Sequence, residues 1–302
     1  MTESEPLTAG SLDAVVAFMR EANPFAQRTW GWDTGRFVDW RWGSNTASEA
    51  EQPGWFARHC RMIVASGEIR ALAVSEYGGS DLCILTKGQE SELVARILTG
   101  VIEDRRTHGR SLTLDAASRS IWLREIFTTC GFDEDPKAGH EWEFDLTHEL
   151  PSVVAPDGFT ISSLADAQPS DLEHIAECIS AAFGSTHDVR GTLRSIEANP
   201  LFRPELSVFV RSPDGRVAAY CRGTADPHNG ICGIDPVCTH PDFQRLGLGR
   251  IVVLRCFAQQ QRMGGESAFI GSAPEPAPGN RLYRSLEPRD RIDMSSWTLP
   301  TR

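Results

Sequence analysis

The residues whose types and spacing carry chemistry most clearly are Gln244-Arg245-Leu246-Gly247-Leu248-Gly249-Arg250. Residues 231–238, apolar but for Asp235, lie upstream of them, and a largely apolar run reaching Met263 follows. That order predicts a strand, a glycine-bearing loop and a helix. Gly247 and Gly249 lack a Cβ, so a ligand can approach the backbone closely. The first amides of a helix have no intrahelical partner, and the helix dipole adds partial positive charge there. Together they form an anion site that suits a pyrophosphate without requiring any one side chain. The same glycines also fit a plain tight turn between strand and helix. Two other phosphate loops are excluded. No Gly-Lys-Ser/Thr follows, as a P-loop requires, and the third glycine and distant acid of a dinucleotide fingerprint are missing.

The elements that must position this loop are legible around it. Residues 159–162 read as a strand. In 171–183, Leu172, Ile175, Ala176, Ile179 and Phe183 share one helical face, and a second helix covers 189–198 before Asn199-Pro200. Strands 206–211 and 217–223 flank the turn Ser212-Pro213-Asp214-Gly215. After the loop, Gly264-Gly265 stops a helix over 249–263. A strand at 267–272, a proline-rich loop, a short helix at 280–286 and a last strand at 291–299 complete the half. Residues 1–150 repeat the order more faintly: a hairpin of 62–65 and 69–76, a strand at 81–86, a helix at 92–107, a strand at 111–115, a helix at 120–129 and a strand at 141–146. Two prolines and a Pro-Asp-Gly turn mark a boundary between 147 and 158. A chain of 302 residues exceeds one ordinary core. The expected organisation is therefore α+β, with two related units at 1–150 and 156–302.

Composition narrows the function. Residues 1–150 hold 15 Lys and Arg against 24 Asp and Glu, and the remainder holds 15 against 17. Such an acidic chain is a poor general binder of nucleic acid and favours cationic or neutral acceptors such as amines. No run of 18 apolar residues spans a membrane, and the acidic start MTESEPLTAG is no export signal, so the expected location is cytoplasmic. The eight cysteines contain no CxxC pair and read as reduced, mostly buried thiols. Cys232, Cys238 and His240 fit no zinc spacing, and no metal is expected.

In its strand–loop–helix setting, the run 244–249 resembles the acetyl-CoA-binding motif of the GNAT superfamily of N-acyltransferases, Gln/Arg-x-x-Gly-x-Gly/Ala. Gln244, Gly247 and Gly249 stand at its fixed positions, and Val237, Pro241 and Leu248 match its surroundings. The likeness is greatest to a bacterial subgroup that reads Glu-Pro-Val-x-x-x-Pro before the loop; Asp235 here replaces that Glu. It extends from about Phe159 to Trp297. It implies tandem GNAT-like domains, each with a mixed, mostly antiparallel central sheet flanked by helices. It also implies that backbone groups along Val237, Cys238 and Thr239, at the end of a strand that splays from its neighbour, hold the pantetheine arm and acyl carbonyl. The amides of Arg245, Leu246, Gly247, Leu248, Gly249 and Arg250 would bind the CoA pyrophosphate. The acceptor amine would enter from the opposite side of the splay.

Gly279-Asn280-Arg281-Leu282-Tyr283 resembles a second family segment, Asn…Leu-Tyr…Gly-Phe. The resemblance implies that Asn280 contacts the pantetheine arm and that Tyr283 protonates the leaving thiolate, which a phenol can do as charge builds on sulfur. Two departures stand out: Asn280 lies only three residues before Tyr283, and Glu287-Pro288 replaces Gly-Phe. For the general base, Asp235 is the first choice, on the same strand face as Val237 and flanked by Ile234 and Pro236. His240 is a rival, and ordered water serves in many such enzymes. A Cys238 nucleophile has no readable His-Asp partner.

In the first half, Ser120-Ile121-Trp122-Leu123-Arg124-Glu125-Ile126-Phe127-Thr128-Thr129-Cys130-Gly131-Phe132 resembles the family helix ending in Gly-Phe, with Phe127 where the phenol would be. Thr86-Lys87-Gly88-Gln89-Glu90 stands where the loop would be, with one glycine and an acid. This half is expected to bind no cofactor. Its aromatic run, Trp30, Trp32, Phe37, Trp40 and Trp42 with Asp33 and Asp39, reads first as packing and second as a substrate wall. The leading expectation is an acetyl-CoA-dependent (or other acyl-CoA-dependent) N-acyltransferase acting on a small-molecule amine, as monomer or homodimer. The alternatives are a CoA-binding regulatory or partner protein without turnover, or a structural tandem fold.

Overall fold

The computed structural model describes residues 2–43, 52–184 and 189–300. The first half opens with β1 (Thr2–Pro6), α1 (Leu12–Trp30), α2 (Thr34–Gly43) and α3 (Gln52–His59). It continues with β2 (Cys60–Ala65), β3 (Glu68–Val74), β4 (Cys83–Thr86), α4 (Ser91–Thr107), β5 (Leu112–Ala117), α5 (Ile121–Cys130) and β6 (Asp133–Asp145). The second half comprises β7 (Thr160–Ser163), α6 (Asp171–Phe183), α7 (Val189–Ile196), β8 (Ser207–Arg211), β9 (Val217–Asp226) and β10 (Ile231–Thr239). After these come α8 (Leu248–Arg262), β11 (Ser267–Ser272), α9 (Pro278–Arg284) and β12 (Asp290–Leu299).

Local chemistry explains the boundaries. The first-half hairpin turns at Ser66 and Gly67, both at positive φ (55° and 81°), the pairing that a two-residue turn of primed type requires. Helix α1 buries Val15, Phe18, Met19, Ala22, Ala26 and Trp30 at helical spacing. It stops at left-handed Gly31, whose amide donates to the Gln27 carbonyl. Strand β6 starts eight residues before the expected 141. Its charged first stretch is mostly exposed and lacks the alternation that betrays a strand.

The strands form a four-stranded sheet, β1-β2-β3-β4, and an eight-stranded sheet, β5-β12-β6-β11-β10-β9-β8-β7. Among the described residues, every ladder is antiparallel except β10 with β11. The class is α+β, with helices flanking mostly antiparallel sheets. A parallel bridge between Asp81 and Thr113 links the two sheets at β5. The halves also exchange their last strands. First-half β6 lies between β11 and β12, and second-half β12 lies between β5 and β6. Trp142 and Phe144 of β6 consequently pack into the second-half core, while Trp297 and Leu299 of β12 pack into the first-half core. Ion pairs between the halves add to this union, among them Arg20–Asp226 at 2.9 Å, Asp39–Arg222 at 2.8 Å and Arg119–Asp290 at 2.6 Å.

Candidate active site

Strands β10 and β11 are paired only from Ile231–Ser267 to Ile234–Ile270. A bulge follows Ile234, and residues 237–239 pair with β9 alone. The two parallel strands therefore splay after one short ladder. The bulge also breaks the two-residue alternation that put Asp235 and Val237 on one face. Beyond the splay, a short turn at Pro241–Phe243 is capped by His240, whose Nδ1 accepts the Asp242 amide at 3.2 Å. That contact fixes the ring through Nδ1 and leaves Nε2 as the nitrogen a rival base would use.

The loop then passes through Arg245 at φ 68° and Gly247 at φ 78° before α8 begins. Left-handed residues separated by one of negative φ curl successive amides into an anion-receiving concavity. Among the described residues, no amide from Arg245 to Arg250 donates to another protein group. Gln244, Arg245, Leu246 and Gly247 are exposed. The glycines do different jobs. A Cβ on Gly247 would meet nothing within 4 Å, so its backbone conformation is what demands glycine. A Cβ on Gly249 would sit 3.3 Å from both Thr239 Oγ1 and Leu282 Cδ2, so there glycine lets the helix start lie against the end of β10 and against α9.

Helix α9 brings Tyr283 to this region. Its ring is buried in the second-half core, 6.2 Å from the Trp142 ring. Burial pushes the phenol above its ordinary pKa, with the nearby Cys221, Asp235 and Cys238 adding to the rise. Its hydroxyl forms no hydrogen bond among the described residues. Tyr283 thus stays protonated at neutral pH and has a proton to give. Asn280 is fully buried; its Nδ2 donates to the Ala273 carbonyl at 3.2 Å and its Oδ1 has no partner. Glu287 adopts φ 56°, the left-handed conformation of the glycine it replaces, so that departure leaves the turn intact. Cys238 points away from the loop into the α6 core, 3.8 Å from Cys178. All eight cysteines are free and seven are buried. Among the described residues, no cluster of His, Cys, Asp or Glu could hold a metal ion.

On the other side of the splay lies an open cavity of about 900 Å³. Its walls come from both halves: α1 and α2, the chain after β3, β6, β9, β10 and β11. Five carboxylates and two guanidinium groups line it. Arg36 pairs with Glu76 at 2.7 Å and Arg222 with Asp39 at 2.8 Å, which leaves Asp33, Glu141 and Asp235 without a salt bridge among the described residues. Burial raises Asp33 to about 6, against an amide hydrogen bond from Arg36. Burial raises Glu141 to about 8, with Arg36 opposing and Asp33 and Asp235 adding to the rise. Asp235 remains more than a third exposed to water, yet pocket walls ring it. That crowding raises its pKa, while Arg222 and Arg36 hold it down. Of the aromatic run, Trp30, Trp32 and Trp40 are at most 5% exposed and belong to the first-half core, yet Trp40 also lines this cavity.

The geometry has a counterpart in known proteins. Residues 172–286 match the model of the Acetyltransferase (GNAT) family. This segment is a GNAT domain. No match is found among curated proteins. Among solved structures, a tandem GNAT protein from the clavulanic acid biosynthesis pathway aligns over 100% of this chain and 99% of its own, at 14% identity and a TM-score of 0.65. A GCN5-related N-acetyltransferase from Sphaerobacter thermophilus aligns over 100% of this chain and 96% of its own, at 16% identity and a TM-score of 0.63. One from Kribbella flavida aligns over 87% and 93%, at 16% and 0.52. The fold of the whole chain, not of the GNAT domain alone, is therefore that of a tandem pair.

Within the GNAT domain, the structure gathers Thr239, the 245–250 amides and α9 on one side of the splay and leaves Asp235 facing the cavity. Sequence reasoning missed Gln27, Arg36, Glu76, Glu141, Arg222 and Thr224 as cavity residues. A signal for one of them was present. Glu141-Trp142-Glu143-Phe144 alternates acid with aromatic, which places two carboxylates on one face of a strand whose other face is core. Such a face is either solvated or a polar site, and only the strand exchange decides which.

Proposed function

We propose that the protein is an N-acyltransferase that moves an acetyl group from acetyl-CoA to the amine of a small molecule by direct attack in a ternary complex. The observation that carries this reading is the row of unpartnered amides at 245–250, set at a strand splay whose far side opens on an acidic cavity. The residues present fit the cosubstrate: the concavity has no side chain over Gly247 and offers donors for a pyrophosphate. When bound, the thioester supplies the acyl group. Residues 156–302 act as the catalytic domain, and residues 1–150 as a cofactor-free domain that supplies part of the acceptor wall.

The chain's own groups then divide the work. The loop amides fix the anion. The open edge of β10 past Ile234 offers backbone groups to the pantetheine arm and acyl carbonyl. Asp235 holds the acceptor's ammonium group at the mouth of the splay, where its carboxylate is reachable from the cavity. Tyr283 donates its phenolic proton toward the departing sulfur.

Calorimetric titration with acetyl-CoA, followed by thiol release against a panel of primary amines, tests the reading. Binding with thiol release is the expected outcome. Binding without release for any amine favours a CoA-binding partner protein, and absence of binding rejects both.

A further inference from the structure

Glu141 is a cavity carboxylate whose surroundings come from both halves. Strand β6 pairs with β11 without irregularity, and Glu141 stands opposite Gly271. Gly271 is one step past the last parallel pair, Ile234–Ile270, so Glu141, Gly271 and Asp235 lie level at the point where the strands part. The carboxylate is enclosed by two glycines. A Cβ on either Gly31 or Gly271 would come within 3.1 Å of Glu141 Oε1. Gln27 Nε2 holds the other oxygen, Oε2, at 3.2 Å, while Oε1 accepts no hydrogen bond among the described residues. One lone-pair-bearing oxygen is thus left open in a cavity wall beside the splay. The next carboxylate on the same strand face, Glu143, is spent on Arg28 and Arg289 at 2.6 and 3.1 Å.

We propose that Glu141, delivered by the exchanged strand β6 of the first half, is the catalytic base that deprotonates the acceptor ammonium. This assignment rests on the acyltransferase reading. The balance is simple. The ammonium gives one proton to Glu141 Oε1, and the freed amine lone pair attacks the thioester carbonyl. The new C–N bond forms and the C–S bond breaks. The sulfur takes a proton from Tyr283, which recovers one from the nitrogen as the amide forms. Glu141 returns its proton to water through the open cavity. Asp235 remains the ion partner of the substrate. The first-half domain is then part of the active site: without β6 the reaction has no base.

The groups facing Glu141 set its working range. Gln27 comes from α1, Asp33 and Arg36 from the start of α2, Glu76 and Tyr77 from the chain after β3, and Asp235 from β10. A smaller contiguous cavity of about 210 Å³ shares Glu141 and Arg36 and adds Asp81, Asp115 and His140. Arg36 is tied to Glu76, and burial outweighs it, leaving Glu141 near 8. A base of that strength is matched to proton transfer at neutral to mildly alkaline pH.

The test uses full-length protein with acetyl-CoA and the amine panel. Glu141→Gln should bind acetyl-CoA as the wild type does and lose about 10²- to 10⁴-fold in kcat, as removal of a general base does. Glu141→Asp should recover part of the loss. Wild-type kcat/KM should rise with pH to a plateau with a midpoint near 8, and the Gln variant should lack that limb. A carbon-13 carboxyl resonance that disappears in Glu141→Gln should titrate at the same midpoint in the free protein. A Gln variant within threefold of wild type, with an unchanged pH limb, overturns the assignment. Wild-type protein that binds acetyl-CoA but acetylates no amine overturns it too, leaving the cofactor site standing. Failure to bind acetyl-CoA overturns both.

Discussion

The two halves meet the same structural problem, a strand that must turn into a helix, and solve it differently. In the second half eight residues, 240–247, separate β10 from α8; in the first half four, 87–90, separate β4 from α4. The longer loop contains left-handed Arg245 and Gly247 and leaves its amides free. The shorter one has no residue at positive φ. Its Thr86 hydroxyl donates to the Gly88 carbonyl at 2.8 Å, Lys87 is drawn to Glu21, and Glu90 at the helix start pairs with Arg70 at 2.6 Å. Acids in a helix's first turn suit the dipole and repel a phosphate. The position of Tyr283 is taken by Phe127, fully buried against Phe132 and Trp297. The two loops thus differ in length and in left-handed turns, and on the proposed reading the first half serves as packing and cavity wall rather than as a second anion site.

The substitution expected to break this contrast most completely is Gly247→Glu. It forces a side chain into a left-handed position, at about 1–2 kcal/mol, and sets a carboxylate beside the pyrophosphate. Acetyl-CoA affinity should fall by at least about 100-fold, equivalent to roughly 3 kcal/mol. Unchanged affinity in a calorimetric titration would remove the loop from the site. Titration of the wild type sharpens the same contrast: one acetyl-CoA per chain is expected, and two would show that the 87–90 loop is no impediment. Tyr283→Phe makes the second half resemble the first. It should lower kcat by about 10- to 100-fold, at or below the usual range for a proton donor, while leaving acetyl-CoA binding within about twofold. Full turnover under conditions where chemistry limits the rate would reject the acid role.

Much of this was written locally in the chain. The 244–250 loop, the 212–215 hairpin and the helices at 171–183 and 249–263 follow from glycine placement and periodicity, which are near-neighbour effects. The α+β class followed from their order. The cavity was not legible, because its walls are non-local. Glu141 and Asp235 are far apart in sequence, and only the exchange of β6 with β12 brings them level. Nothing in residues 133–145 announces that exchange: the first part is charged and exposed, and the second reads as an ordinary alternating strand. The same-face argument for Asp235 and Val237 failed for a related reason, since a bulge cannot be read from alternation alone. Asn280 has a structural contact that its motif position does not announce. Its buried Nδ2 braces the 273–279 loop through the Ala273 carbonyl, while Oδ1 stays without a partner among the described residues.

The smallest expected effect concerns stability and isolates the cost of placing Glu141 between the halves. Its folded pKa is raised to about 8 from an ordinary 4.5, so the folded protein holds this proton more tightly than the unfolded chain. Below about pH 4.5 both states are protonated and Glu141 costs nothing. As pH rises from there toward 8, the unfolded chain releases the proton and the folded protein must ionise a crowded carboxyl, so stability falls. Glu141→Gln stays neutral throughout. It should therefore match the wild type near pH 4.5 and melt higher at pH 8.5, by about 2–4 °C for each kcal/mol recovered in a chain of this size. Asp33, also raised by burial, is present in both proteins and largely cancels in the difference. A melting difference that is flat from pH 4.5 to 8.5 would mean that Glu141 ionises freely on the folded protein, and the enclosure by Gly31 and Gly271 would then impose no electrostatic cost.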